Sequence, residues 1–181
     1  LLVGAVSAFF GRVQASPPAP LKGQLQALQD RKILFSHLTT FFFLAGHYTL
    51  YGYLTPFATS TMGFDHTLLS VVYFVYGAAG VIGGGLAGLS ADTFGARRTL
   101  LAVIVLLSAC LLVIPQATAT APLFWPVLVI WGVLSWSISP PMQSHLVRLS
   151  PRTAGVQQSL NNGVLHLGIA LGTTVGSVVI D

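Results

Sequence analysis

The chain has 181 residues, of which 54% are hydrophobic and 7% are charged, and its formal net charge is +4. A soluble domain carries roughly 25% charged residues, so this composition excludes an ordinary water-soluble fold. The basic residues are sparse and form no continuous stripe, which argues against a nucleic-acid partner; they are Arg12, Lys22, Arg31, Lys32, Arg97, Arg98, Arg148 and Arg152.

These basic residues lie in alternate gaps between long apolar stretches. A helix of roughly 20 apolar residues crosses a bilayer, and cytoplasmic loops collect Lys and Arg. The intervening gaps, 58–66 and 115–121, contain no Lys or Arg. The pattern predicts an all-α polytopic membrane protein, embedded in the lipid bilayer with its basic gaps in the cytoplasm.

The first apolar stretch, residues 1–10, would cover only about 15 Å as a helix, which is too short to cross. We interpret it as the end of a truncated span, with a signal-peptide core as the competing interpretation. Residues 11–32 are polar and contain Pro17, Pro18 and Pro20. They are predicted to form a cytoplasmic linker.

Five full spans are predicted after the linker, over residues 33–57, 67–89, 99–114, 122–147 and 154–180. Pro56 is expected to close the first span, and residues 90–98 are expected to form a tight charged inner loop. Residues 99–147 carry no charge and are long enough for a helical hairpin. Because the chain begins within one apolar run and stops at the end of another, we expect it to be a piece of a larger protein.

The inner loop contains the run Gly88-Leu89-Ser90-Ala91-Asp92-Thr93-Phe94-Gly95-Ala96-Arg97-Arg98. It resembles the cytoplasmic loop signature of the major facilitator superfamily, G-x-L-A-D-R-x-G-R-R/K-x. The positions that match are Gly88, Ala91, Asp92, Gly95 and Arg97, and those that depart are Ser90, Thr93 and Ala96. Glycines allow a tight turn, a carboxylate can meet a helix N-terminus, and Arg anchors at lipid headgroups. The resemblance implies a cytoplasmic gate formed by Gly88, Asp92, Gly95, Arg97 and Arg98.

Two flanking segments resemble the drug and sugar efflux branch of that family, whose members are similar to arabinose efflux permeases. They are Tyr53-Leu54-Thr55-Pro56-Phe57 and Leu160-Asn161-Asn162-Gly163, the latter followed by residues 167–172. The resemblance implies that the five spans are the seventh to the eleventh of twelve, within a C-terminal six-helix bundle. It also implies a multi-pass location in a bacterial inner membrane and an N-terminal half as the missing partner.

Glycines recur every fourth residue on two spans, at Gly80, Gly84 and Gly88 and at Gly168, Gly172 and Gly176. Such rows let helix backbones approach closely in lipid, and close approach of a ligand is the alternative interpretation. The resemblance implies that both rows lie where the two halves of the transporter meet.

Polar residues inside a membrane point to a cavity or a pathway. On the first span a partly polar stripe recurs at helical spacing, and its members are His37, Thr40, Leu44, His47, Tyr48, Tyr51 and Thr55. On the fifth span a second polar row consists of Gln158, Asn162 and His166, with Asn161 beside them. The predicted substrate-cavity residues are His47, Tyr48, Tyr51, Tyr73, Trp131, Asn162 and His166. For the aromatic members, helix packing is the alternative interpretation.

The histidines admit several interpretations, because imidazole changes charge near neutrality. His47 and His166 are candidates for carrying protons, for lining the cavity or for a neutral hydrogen bond to a neighbouring helix. His37 and His145 are expected at the interface, and His66 in the outer loop. Since no carboxylate lies at mid-membrane, we expect the acidic coupling residue of a proton-driven exporter in the missing half.

The leading hypothesis is therefore a secondary transporter that works by alternating access, with proton-coupled export of a drug-like compound or sugar as the favoured version. It would need no cofactor besides the proton gradient. The competing hypothesis is a transport-inactive membrane receptor or scaffold. An enzyme is not expected, because no nucleophile, base or metal cluster converges at one depth, and Cys110 stands alone.

Overall fold

The computed structural model describes residues 30–180, so the predictions for residues 1–10 and for most of 11–32 concern residues outside that range. Every regular element in the described range is helical. In chain order these are α1 (Arg31–Tyr51), α2 (Leu54–Met62), α3 (His66–Phe94), α4 (Ala96–Ala117), α5 (Ala121–Trp136), α6 (Ser139–Leu149), a 3-10 turn (Pro151–Thr153) and α7 (Ala154–Ile180).

Five helical segments are long and apolar enough to cross a membrane. They are Arg31–Met62, His66–Phe94, Ala96–Ala117, Pro122–Leu149 and Pro151–Val179. The prediction of five full spans in an all-α membrane protein is confirmed.

The first span is longer than the sequence predicted. The helix breaks at Gly52, after α1, and resumes as α2, which ends only where Gly63 adopts a positive φ of 66°. Pro56 does not close the span, because it lies in the first turn of α2, where a missing backbone N–H breaks no helical hydrogen bond.

The inner loop is shorter than predicted. Helix α3 continues through the motif as far as Phe94, and only Gly95 separates it from α4. Gly95 has a φ of 89°, a backbone conformation that glycine adopts without a steric penalty. One glycine therefore makes the whole turn between two spans.

The fourth span is interrupted near its middle. Helix α5 ends at Trp136, and α6 begins at Ser139 with Pro140 and Pro141 in its first turn. Proline has no backbone N–H to continue the ladder from α5, so a new helix starts here. The helix break at the two prolines thus lies within the span and not at its end.

Two helix pairs form the bundle: α1 lies along α7, and α3 lies along α5. Helix α4 packs on α5 and α3, and α6 contacts α1, α3, α4 and α7. Large apolar side chains cover the outside, with Phe74, Val81, Leu112 and Val178 each at least 75% exposed. Such a surface suits lipid.

The glycine row of α7 packs inside this bundle. A Cβ on Gly168 would meet Phe41 O at 2.5 Å, one on Gly172 would meet Tyr48 Cβ at 3.0 Å, and one on Gly176 would meet Thr49 O at 2.6 Å. All three contacts belong to α1. The expectation that this row meets another half of a transporter is wrong, because α1 already occupies that face.

The glycine row of α3 is divided between different surroundings. A Cβ on Gly80 would strike the Trp136 indole. Among the described residues, a Cβ on Gly84 would have no neighbour within 4 Å, and one on Gly88 would have only Pro140, at 3.9 Å. The tightest contact of α3 is made by Gly83, which lies outside the predicted row and against the backbone of Val133. The closest approach of α3 to the backbone of α5 is therefore at Gly83, while the contact of the predicted row with a second half stays a prediction.

One end of the bundle collects basic groups. Lys32 at the start of α1, Arg97 at the start of α4 and His145 near the end of α6 line a groove of about 540 Å³. The segments that the sequence predicts to be cytoplasmic thus lie at the same end.

Candidate substrate cavity

An aromatic cluster joins three spans at the depth of His47. Helix α1 contributes His47 and Tyr51, α3 contributes Tyr76, and α5 contributes Trp131. The Tyr51 ring stacks on Tyr76 at 4.8 Å and on His47 at 5.3 Å, and the Trp131 ring meets Tyr76 edge-on at 5.3 Å. Offset and edge-on contacts of this kind are the favoured geometries of aromatic pairs.

A cavity of about 230 Å³ opens beside the cluster, between α1, α3, α5, α6 and α7. Its lining is aromatic and aliphatic with hydroxyl and imidazole groups: Leu44, His47, Tyr48, Tyr51, Tyr76, Ser135, Trp136, Ile138, Ser139, Leu165, His166 and Ile169. A second cavity, of about 460 Å³, adjoins it and shares Tyr51, Tyr76, Trp136 and Ser139. Neither lining contains a charged side chain of Asp, Glu, Lys or Arg. The two together present flat apolar surfaces with polar tips.

His47 is hydrogen-bonded on both sides of its ring. Trp131 Nε1 donates to His47 Nδ1 at 3.1 Å, and His47 Nε2 lies 3.1 Å from Tyr76 Oη. Ser135 Oγ lies 3.5 Å from Nδ1 and donates to Trp131 O at 2.6 Å. Buried polar groups are thereby paired, as an apolar environment requires.

The predicted cavity residues do not all reach the cavity. His47, Tyr48, Tyr51 and His166 line its smaller part and Tyr73 its larger part. Trp131 is 1% exposed and lies behind the surface, where it touches His47 and Tyr76. Asn162 is exposed on α7 and lines none of the cavities described for residues 30–180.

A second polar cluster joins α1 to α7. His37 Nε2 lies 2.9 Å from Gln157 Oε1, His37 Nδ1 lies 3.3 Å from Asn161 Oδ1, and Thr40 Oγ1 donates to the same oxygen at 2.8 Å. His37 is 3% exposed, so its side chain is buried between helices, while its depth at the membrane interface stays a prediction. Helix α7 supplies amide groups beside the ring, so the buried imidazole keeps a hydrogen-bond partner.

Sequence reasoning missed three residues of these clusters. Tyr76, Ser135 and Gln157 are not among the residues that the sequence predicts for the cavity or for the polar rows. Gln157 and Asn161 are spaced i, i+4, as are Gln158 and Asn162, so spacing alone did not distinguish the buried pair from the exposed pair. The signal that could have pointed to Ser135 is its position four residues after Trp131, which puts both side chains on the same face of α5.

The gate motif lies at the end of the bundle that carries the basic groove. Asp92, Arg97 and Arg98 are exposed, and the Asp92 carboxylate makes no hydrogen bond or ion pair with another residue in the range 30–180. Gly88 and Gly95 are partly buried at the end of α3. The motif residues therefore surround the one-residue turn without forming a charge network among themselves.

Comparison with known proteins identifies the family of this fold. A family model described as the Major Facilitator Superfamily matches residues 1–173. The chain belongs to the major facilitator superfamily. Two relatives in this superfamily are the uncharacterised MFS-type transporter YbcL of Bacillus subtilis (strain 168) and the inner membrane transport protein YdhP of Escherichia coli (strain K12).

The similarity to both relatives runs through nearly the whole chain. YbcL is 30% identical over 99% of this chain and 47% of its own length. YdhP is 28% identical over 99% of this chain and 46% of its own length. This major facilitator chain therefore spans about half the length of the curated relatives it matches. The family predicted from the inner-loop motif is confirmed.

Proposed function

We propose that this chain forms the C-terminal half of a secondary transporter that exports a small organic molecule, a drug-like compound or a sugar, in exchange for protons. The observation that carries the proposal is the uncharged aromatic cavity between α1, α3, α5, α6 and α7. Ligand sites are mostly apolar with a few placed polar groups, and transporters of this kind bind substrate between two bundles by alternating access.

The partner in this proposal is an N-terminal bundle of the same transporter. The glycines at 84 and 85 of α3 line the open side of the larger cavity, and neither has a neighbour within 4 Å of a Cβ. A glycine surface of this kind accommodates another helix at short distance. We place the second bundle against it, so that the cavity becomes enclosed when the two halves meet.

Proton coupling in this proposal depends on the other half. The membrane-spanning part of residues 30–180 contains no carboxylate near the cavity, and an intramembrane ionisable group is the usual proton carrier. We assign the acidic carrier to the N-terminal bundle. Asp92 and the neighbouring Arg97 and Arg98 are assigned to a cytoplasmic gate, where the carboxylate pairs with a helix N-terminus in one conformation and is released in the other.

The orientation proposed for the bundle in the membrane rests on its basic residues, and cysteine labelling tests it. Arg97 and Lys32 line one groove, and the positive-inside rule puts that end of the bundle in the cytoplasm of a bacterial inner membrane. Single cysteines at Lys22, Arg97 and Arg152 are expected to react with an impermeant maleimide only in inside-out vesicles. A cysteine at Thr118, in the opposite turn, is the control and should react only in intact cells. Labelling of Lys22 and Arg97 from opposite sides would refute the threading.

Transport is tested with the complete protein in inside-out vesicles energised by a proton gradient. We expect accumulation of labelled drug-like compounds or sugars, and about a tenfold lower rate for Tyr51→Leu because an aromatic surface of the cavity is lost. Phe42→Leu is the matched control, since Phe42 is 65% exposed and lines neither of these two cavities, and its rate should equal that of the parent. A protein that binds such compounds but moves none of them would instead be a receptor or scaffold.

A further inference from the structure

The hydrogen bonds of His47 determine its protonation state. An indole Nε1–H is a donor and has no lone pair to accept with. Because Trp131 Nε1 lies 3.1 Å from His47 Nδ1, this ring nitrogen must be the unprotonated acceptor. His47 is therefore a neutral imidazole whose hydrogen is on Nε2, a tautomer assigned from the bonding network.

The other ring nitrogen of His47, Nε2, extends this series of hydrogen bonds, and the direction of donation is fixed. His47 Nε2–H donates to Tyr76 Oη, 3.1 Å away, so the tyrosine keeps its own hydrogen for another acceptor. Trp131, His47 and Tyr76 thus form a relay that runs one way, from the indole donor to the phenol hydroxyl. Tyr76 is 3% exposed and is a lining residue of both parts of the cavity, so the relay ends at a residue that borders the proposed substrate site.

Within residues 30–180, no group next to His47 would stabilise its charged form. Helix α1 presents Tyr48 and Tyr51, α3 presents Tyr76, and α7 places His166 in the same cavity. On α5, Ser135 gives its hydrogen to Trp131 O. The α4 residues that share a groove with His47 are Ile104, Leu107, Ser108 and Leu111, which do not titrate. An imidazolium would press an Nδ1–H against the indole N–H, with no carboxylate beside it to offset the charge.

We propose that His47 is a neutral positioning residue that holds Trp131 and Tyr76 in place and directs the Tyr76 hydroxyl toward the cavity as a hydrogen-bond donor. Its role in transport rests on the function proposed above. The relay suits a substrate with an acceptor oxygen, such as a carbonyl, ether or hydroxyl group. The proton carrier of the transporter is then another residue.

A glutamine at position 47 tests this role, because its amide has one acceptor and one donor. Its oxygen can accept from Trp131 and its nitrogen can donate to Tyr76, whereas a leucine leaves both partners unpaired. In the vesicle assay with the complete protein, we expect His47→Gln to retain transport within about threefold with an unchanged pH profile, and His47→Leu to lose about tenfold or more. If His47→Gln loses proton-coupled transport as fully as His47→Leu does, His47 carries the proton and the proposal is overturned.

A spectroscopic measurement decides the protonation state without any transport. In the complete protein labelled with ¹⁵N-histidine in detergent, we expect His47 to show one protonated and one unprotonated ring nitrogen from about pH 5 to about pH 8, the range in which free imidazole changes charge. The His47→Gln spectrum identifies the signal, and free ¹⁵N-histidine in the same buffer is the titration control. Two protonated nitrogens on His47 at the acid end would overturn the proposal. A protein with the expected spectrum and no transport would refute the proposed function and leave the tautomer assignment intact.

Discussion

Gly83→Val is expected to separate α3 from α5, whereas Gly84→Val should leave the bundle folded. A Cβ on Gly83 would overlap the carbonyl of Val133, and this neighbour is backbone, which cannot rotate away as a side chain can. The hydroxyl of Ser137, the residue that follows α5, shares its single hydrogen between Val133 O at 2.6 Å and the Gly83 carbonyl at 3.1 Å. Gly84 has no atom within 4 Å of a Cβ.

The measurement is thermal unfolding in detergent together with the elution profile of each variant. Overpacking a tight site costs roughly 1–3 kcal/mol or more, so Gly83→Val should lower the melting temperature by several degrees or yield aggregated protein. Gly84→Val should unfold as the parent does. It should nevertheless impair transport by the complete protein if Gly84 faces the second bundle, as proposed. Normal stability of Gly83→Val would contradict the α3–α5 contact described here.

This pair of variants also separates two interpretations of one sequence pattern. The four-residue spacing of Gly80, Gly84 and Gly88 predicted a close-packing row, yet the structure uses Gly83 and, on α5, Gly132. Adjacent residues differ by about 100° around a helix, so a run such as 83–85, all glycine, has a small residue on nearly every side. Composition alone does not select the face that meets a neighbour.

The polar row of α7 has the same ambiguity. Two glutamines and two asparagines are consecutive in this row. Gln157 is therefore four residues before Asn161, and Gln158 is four residues before Asn162. Gln157 is 0% exposed and bonded to His37, while Gln158 and Asn162 are exposed. The rotation of a membrane helix is set by the helices packed against it, and those contacts are tertiary. The sequence therefore predicts the number of spans, but it does not predict which side chains of a span face a neighbouring helix.

The prediction of five spans succeeded because the bilayer imposes a minimum apolar length on every crossing. The breaks inside spans were harder to place. Pro56 was expected to end a helix but starts one, and the interruption before Ser139 occurs where two prolines begin α6. Within the cavity, aromatic composition and helical spacing identified His47, Tyr48 and Tyr51. Which groups they bond across α3 and α5 depends on packing that one sequence does not contain.

The contact between α1 and α7 gives the second large expected effect. Valine at Gly172 would place its Cβ 3.0 Å from Tyr48 Cβ and closer still to the Ala45 carbonyl, so the helices could not keep their present distance. Because these two helices also carry the buried bonds of His37 with Gln157 and Asn161, moving them apart would leave those polar groups unpaired in an apolar interior.

We therefore expect Gly172→Val to destabilise the bundle by roughly 2–5 kcal/mol, as the sum of an overpacking cost and lost hydrogen bonds. Gly163→Val is the matched control on the same helix, since a Cβ there has open space within 4 Å, and its melting temperature should equal that of the parent. Equal stability of the two valine variants would mean that α7 does not pack on α1 through its glycines, and the buried position of His37 would then need another partner helix.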